Sequence, residues 1–277
     1  MTTPALPPST RIAFIGGGNM ASAIIGGLIR QGLPAAQVSV VEPFDETRAL
    51  LKSQHGAQVH QAAGPFLADA DVIVWAVKPQ SFQGAAAPVA PHAGQALHLS
   101  VMAGIRCADI AAASGSARIV RAMPNTPALV GRGMTGLFAS TGVEADRVLA
   151  ETVIRTTGEV LWVEREEQLD AVTALSGSGP AYVFYFLEAM QQAGVELGLS
   201  ADQARRLAVG TFAGGAQLAA NSTEPLATLR ERVTSKGGTT YAALVAMQQA
   251  GIGPAFVRAM HAACQRAKEL GDEFGRG

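Results

Sequence analysis

The segment Arg11-Ile-Ala-Phe-Ile-Gly-Gly-Gly-Asn-Met-Ala21 constrains the fold more than any other stretch. A β-prone apolar run leads into three glycines. Asn19-Met-Ala-Ser-Ala-Ile-Ile25 then reads as the start of a helix. Gly16-x-Gly18-x-x-Ala21 fits the dinucleotide fingerprint, with Ala in its third place. Gly16 permits a tight turn, and Gly18 lets a pyrophosphate approach bare backbone. A small residue at 21 lets the helix pack close to the strand, with its free N–H groups aimed at phosphate. A glycine-rich strand–helix turn that binds nothing shares this pattern. The strand before and the helix after favour the nucleotide site, with Gly16, Gly17, Gly18, Asn19 and Met20 as the pyrophosphate cradle.

Downstream, strand-like and helix-like stretches alternate. Gln37-Val-Ser-Val-Val-Glu42 alternates like a strand and ends in an acid. Glu42 stands where a carboxylate bonds the adenosine ribose 2′-hydroxyl, which favours NADH over NADPH. The competing reading is a strand-end acid facing water, and Arg48 is the nearby residue that argues for a 2′-phosphate. Asp71-Val-Ile-Val-Trp-Ala-Val77 is nearly all apolar, as a parallel strand buried on both faces should be. Further strands are expected at 57–59, 95–102, 117–123, 134–139 and 159–163. The alternation predicts a parallel sheet.

Near Glu164 the pattern becomes wholly helical. The expected fold class is therefore α/β: an N-terminal Rossmann-type parallel-sheet domain over 11–164, then an all-α C-terminal domain over 165–277. A flexible tail is expected at 1–10, and the stretch from Gly271 to the end is expected to be mobile. The helical half carries little charge, which suggests that a second copy buries it as a dimerisation domain. Gly210, Gly214 and Gly215 are costly inside a helix and predict close helix–helix contact.

The chain has 277 residues, 48% of them hydrophobic, and a formal charge of −1. It can bury a large core, and its charge excludes the basic profile of a nucleic-acid binder or a membrane-surface protein. Cys107 and Cys264 lie far apart without metal-like spacing, and the five histidines form no ligand pair. No metal site and no disulfide framework are expected. With neither a signal-peptide pattern nor an apolar run of about 18 residues, the expected location is the cytoplasm.

Leu229-Arg-Glu-Arg-Val-Thr-Ser-Lys-Gly-Gly-Thr-Thr-Tyr241 is the most informative stretch of the second half. Gly237-Gly238 turn the chain, and Thr239 and Thr240 begin a helix. Free N–H groups, hydroxyls and a helix N-terminus converge, which suits a carboxylate or phosphate. From this stretch alone, a plain Gly-Gly helix junction with a Thr N-cap is equally good.

The chain resembles the pyrroline-5-carboxylate reductase family. The resemblance rests on Phe14-Ile-Gly-Gly-Gly-Asn-Met20, Ala76-Val-Lys-Pro79, Arg121-Ala-Met-Pro-Asn-Thr-Pro127, Leu175-Ser-Gly-Ser-Gly-Pro-Ala-Tyr182 and Val233-Thr-Ser-Lys-Gly-Gly-Thr-Thr240. These pieces occur in family order over about 11–270. One departure is Lys236, where the family usually has Pro, which would stiffen the turn.

The resemblance implies hydride transfer from NADPH or NADH to the C=N bond of 1-pyrroline-5-carboxylate, the last step of proline biosynthesis. The family commonly prefers NADPH, and many members also take NADH. The resemblance assigns the substrate carboxylate to Ser235, Gly237, Gly238 and Thr239, and the hydroxyl near the imine nitrogen to Thr240. It assigns the nicotinamide half to Ala76, Val77, Lys78, Pro79, Ala103 and Asn125 at strand exits. Lys78 is weighed as a catalytic lysine and read instead as a strand-end residue. A homodimer core, and in many members a ring of dimers, is also implied. Two competing readings are a 3-hydroxy acid dehydrogenase-like reductase and a non-catalytic dinucleotide-sensing module. The first wants a catalytic lysine in the helical domain, and Lys236 and Lys268 lie in no suitable motif. The second would be favoured by loss of the Thr239-Thr240 hydroxyls, and both are present.

Overall fold

The structure is a computed structural model describing residues 6–274. It divides into two compact units. The first runs to Ser178 and takes up the chain again from Ala263; the second is Gly179–Ala262.

The first unit is built on an eight-stranded sheet: β1 (Ile12–Ile15), β2 (Val38–Val41), β3 (Gln58–His60), β4 (Val72–Trp75), β5 (Leu97–Ser100), β6 (Ile119–Met123), β7 (Gly133–Ala139) and β8 (Gly158–Trp162). Helices α1 (Asn19–Arg30), α2 (Asp45–His55), α3 (Phe82–Val89), α4 (Cys107–Ser114), α5 (Glu144–Arg155) and α6 (Gln168–Val172) accompany it. The strand order is β3-β2-β1-β4-β5-β6-β7-β8. The chain thus builds outward from β1 in both directions, and the reversal beside β1 is where such sheets open a crevice at their carboxyl edge.

β1, β4 and β5 are buried along their whole length. Their side chains alternate between two cores. Ile12, Phe14, Val72, Val74, Leu97 and Leu99 pack with α1 and α5 residues on one face. Ala13, Ile15, Ile73 and Trp75 pack with α3 and α4 residues on the other. Burial on both faces is why β1 and β4 read as apolar runs.

All strand pairs are parallel except β6–β7, which is antiparallel. The expected parallel sheet is thus present, with this one pair reversed. The cause is the connection, a single 3₁₀ segment (Thr126–Val130). A parallel return needs a crossover of a dozen residues or more.

The division between units falls at Gly179, past the expected 165, because 165–178 is bound to the sheet. A Cβ on Gly136 would lie 2.8 Å from Val172, and one on Gly177 would lie 2.6 Å from Met123. Residues 173–177 form a π-helical turn. Arg121 pairs with Glu166 at 2.7 Å, and Glu166 also accepts the Cys107 N–H at 2.7 Å.

Both expected chain ends change. Residues 1–5 of the expected tail lie outside the described residues. Within 6–10, Leu6 packs against the core and Thr10 is buried, donating its N–H to the Pro7 carbonyl. At the other end α11 (Ile252–Phe274) continues through the stretch expected to be mobile; 275–277 lie outside the described residues. Gly104 has φ +77°, and a Cβ there would meet the Phe274 ring at 3.2 Å and the Gly271 N at 3.4 Å. Arg106 pairs with Asp272. This packing holds the last turns of the helix.

The second unit contains α7 (Gly179–Glu196), α8 (Ala201–Ala220), α9 (Leu226–Arg232), α10 (Thr239–Gln249) and the first part of α11. Ser200 caps α8 by accepting the Gln203 N–H, and Gln203 returns the bond in a capping box. Helix α7 approaches α8 where Gly194 faces Ala204; a Cβ on Gly194 would lie 2.7 Å from the Ala204 Cβ. The close contacts expected at Gly210, Gly214 and Gly215 are absent within the described residues, since no atom of another element lies within 4 Å of a Cβ there. Those glycines occupy a face of α8 that its own chain leaves open.

Candidate active site

The β1–α1 turn shows why each glycine is needed. Gly16 has φ +95°, and a Cβ on it would sit 2.7 Å from the Ala76 carbonyl oxygen. Its N–H donates to the Val41 carbonyl at 2.9 Å, while the Ala76 N–H donates to the Ile15 carbonyl at 2.8 Å. The turn is thus bound to the exits of both neighbouring strands. Gly17 donates its N–H to Glu42 Oε2 at 2.9 Å. Gly18 is the N-cap of α1, makes no side-chain cap and has open space around it. Its helix N-terminus is therefore left with unsatisfied N–H groups facing free volume.

A cavity of about 620 Å³ lies at this edge. Its lining includes Gly16, Gly17, Gly18, Glu42, Ala76, Val77 and Lys78. These are the residues of the first fingerprint and the first strand exit, gathered from three segments. Bare backbone and a free helix N-terminus beside an apolar slot fit a dinucleotide's pyrophosphate and adenosine.

The other residues assigned to the cofactor are not part of this cavity's lining. Asn19 is exposed on α1, and Met20 packs against the core. Pro79 opens the 3₁₀ turn Pro79–Ser81, of which Ser81 and not Pro79 is in the lining. Ala103 follows β5 and is half-buried. Asn125 is engaged internally. Its Nδ2 donates to the Ser176 carbonyl and hydroxyl oxygens at 3.2 and 3.1 Å, and its Oδ1 accepts the Met134 N–H at 2.9 Å. It ties the β6 exit to β7 and to the Leu175-Ser-Gly-Ser-Gly segment.

Sequence reasoning missed Phe44, Gln61, Ala62, Ala63 and Pro88, which also line the cavity. A signal was present for 61–63: they follow β3, whose carboxyl end must share the edge of β2 in a parallel sheet. Pro88 and Phe44 carried none, being an ordinary helix residue and an ordinary loop residue by pattern.

Two buried groups play no part at this edge. Burial, and after it the neighbouring Glu166 carboxylate, push the Cys107 thiol far above its usual range, so it stays protonated and unreactive. Burial, aided by Arg118, lowers His98 to about 4.

The second glycine stretch lies in the second unit. Gly237 has φ +75° and Gly238 is the N-cap of α10. The Gly238 N–H donates to the Ser235 carbonyl at 3.0 Å, closing the turn. A Cβ on Gly238 would meet Ser235 Oγ at 2.5 Å and the Ser235 carbonyl oxygen at 3.2 Å, so a side chain there would displace the Ser235 hydroxyl. Gly238 supplies no capping side chain. The first-turn N–H groups of α10, beginning at Thr239 and Thr240, thus have no partner within the helix. Ser235, Lys236, Thr239 and Thr240 lie along this turn, and all four are exposed.

A doubly wound sheet whose glycine-rich first turn borders a cavity at the strand ends defines the class of dinucleotide-binding oxidoreductases. Residues 11–104 match the family described as NADP oxidoreductase coenzyme F420-dependent, and residues 166–270 match Pyrroline-5-carboxylate reductase dimerisation. A pyrroline-5-carboxylate reductase of Pseudomonas aeruginosa is 45% identical over 269 residues, covering 96% of this chain and 98% of the relative. The chain belongs to the pyrroline-5-carboxylate reductase family. A solved pyrroline-5-carboxylate reductase from Coxiella burnetii superposes with TM-score 0.88 at 38% identity, covering 95% of this chain and 98% of that one. A Plasmodium falciparum pyrroline carboxylate reductase with NADP bound gives TM-score 0.84 at 27% identity, covering 95% and 98%.

Proposed function

We propose that this chain reduces 1-pyrroline-5-carboxylate to L-proline with NAD(P)H. The observation that carries the reading is the near-full-length match at 45% identity, which takes in both glycine turns. Bound NAD(P)H supplies the hydride. The chain's own task is to hold donor and acceptor in line, since a protonated imine is already electrophilic and positioning supplies much of the rate. Gly16, Gly17 and Gly18 hold the pyrophosphate against the N-terminus of α1. The turn at Ser235–Thr239 receives the substrate carboxylate. Because the Gly238 N–H is used within the turn, the available donors are the α10 first-turn N–H groups and the hydroxyls of Ser235 and Thr239. Thr240 orients the imine nitrogen; a threonine hydroxyl is too weak an acid to do more at neutral pH.

The second unit forms the homodimer surface. Leu207, Val209, Leu218 and Met247 are exposed apolar residues on its helices, and the glycine face of α8 is open. A second copy covering that face explains both. No described helix is long and apolar enough to cross a membrane. The chain works in the cytoplasm as a homo-oligomer, with a ring of dimers as the larger assembly.

The test is NAD(P)H oxidation followed at the nicotinamide absorbance with 1-pyrroline-5-carboxylate, beside 3-hydroxy acids with oxidised cofactor. Turnover of the cyclic imine alone is expected. Turnover of hydroxy acids only, or of nothing, would overturn the reading. Light scattering that returned a monomer would remove the dimer.

A further inference from the structure

The exit of β2 controls what the cavity can accept at its adenosine end. Glu42 is 7% exposed and lines the cavity. Its Oε2 accepts the Gly17 N–H at 2.9 Å, and its Oε1 accepts the Phe44 N–H at 3.0 Å. A Cβ on Gly17 would meet Leu51 Cδ1 at 2.5 Å and Glu42 Oε2 at 3.4 Å. The carboxylate is therefore held beside the glycine turn, each oxygen accepting one backbone N–H.

A 2′-phosphate needs a free cation, and the residues nearest Glu42 supply none. Arg48 donates to the Glu42 main-chain carbonyl at 2.6 Å and pairs with Asp45. Its side chain is only 17% exposed. Between 42 and 48 stand three acids, Glu42, Asp45 and Glu46, against this one base. Lys78 borders the same cavity but leaves from β4, and β1 lies between β4 and β2. Two strand spacings, about 10 Å, separate those exits.

We infer that this chain selects the cofactor with a free adenosine 2′-hydroxyl, NADH over NADPH, and that Glu42 is the specificity-determining residue while Arg48 is withheld from the phosphate. The inference rests on reading the cavity as the cofactor site. Glu42 accepts from the ribose hydroxyl and repels a phosphate across a poorly screened gap. The selection differs from that implied by the NADP-bound relative from Plasmodium falciparum.

The experiment measures Kd for NADH and NADPH by nicotinamide fluorescence, competition by 5′-AMP against 2′,5′-ADP, and kcat/KM with 1-pyrroline-5-carboxylate for both cofactors. NADH should be favoured by roughly tenfold or more, the size of one charged contact. Glu42→Gln keeps the volume and an acceptor for the Gly17 N–H, and should shrink the preference about tenfold. Glu42→Ser should move it further toward NADPH. Arg48→Ala should leave the ratio unchanged. NADPH favoured by the native protein, an unmoved ratio in Glu42→Gln, or selective loss of NADPH in Arg48→Ala would each overturn the selection. Binding of neither dinucleotide would overturn the reading of the cavity as well, which separates the two failures.

Discussion

The glycine turn at Gly16–Gly18 and the one at Gly237–Gly238 use the same residue under opposite constraints. The first is enclosed by its own sheet: Gly16 presses on the Ala76 carbonyl and Gly17 on Leu51. The second is exposed, and Gly237 has nothing within 4 Å of a Cβ. Both have a glycine at positive φ, followed by a helix whose first N–H groups are free. The difference teaches that the first turn is part of the folding core and the second is a surface feature. Disturbing the first should cost stability along with binding, whereas disturbing the second should cost function while the fold survives.

The most severe test is Gly16→Ala. It combines φ +95° with a 2.7 Å approach to backbone. A loss of about 3 kcal/mol or more is expected, with loss of NADH binding. Thermal melting and cofactor titration measure both, and a stable variant with native affinity would break the comparison.

The next test concerns the core behind the first turn. His98 is fully buried, accepts the Trp75 Nε1–H at its Nδ1 at 2.9 Å, and has its pKa lowered to about 4 by burial and Arg118. The unfolded chain takes up this proton near pH 6.5 and the folded chain does not. Stability is therefore full above about pH 6.5 and falls as pH drops toward 4, by up to about 3 kcal/mol. His98→Gln keeps an acceptor for Trp75 and should flatten the dependence over that window. Denaturant unfolding of both proteins at a series of pH values decides it; parallel curves would mean that other groups carry the acid sensitivity.

Thr240→Ala addresses the second turn. Turnover should fall roughly ten- to a hundredfold, with NADH affinity and melting temperature unchanged. Steady-state kinetics beside cofactor titration gives the answer, and native kinetics would take Thr240 out of the site. Gly237→Ala should have the smallest effect on the fold. Only the positive φ opposes it, at a cost of about 1 kcal/mol, and the substrate KM should rise while melting barely moves. A collapse like that expected of Gly16→Ala would show the two turns to be alike after all.

Much of this organisation was legible because it is periodic or local. The glycine fingerprint, the apolar run at Val72–Trp75 and the break before Pro79 follow from backbone rules that hold at any such place in a chain. Glu42 at the end of β2 was legible for the same reason. Its bond to Gly17 was not, because that contact joins segments brought together only by the β1–β2 pairing. The bonds that Asn125 makes to Ser176 and Met134 were not legible either, because they join β6, β7 and the 175–179 segment across long stretches of chain.

The sequence by itself determined where strands, turns and helix starts lie, and which family the motifs resemble, since these depend on residues a few positions apart. The tertiary structure decided the rest. A short connection turned β7 antiparallel, Gly104 and Asp272 drew the C-terminal helix onto the first unit, and Asp45 with the Glu42 carbonyl took Arg48 out of play. Each of those outcomes depends on which groups meet in space. Where those meetings join segments far apart in the chain, local spacing does not reveal them.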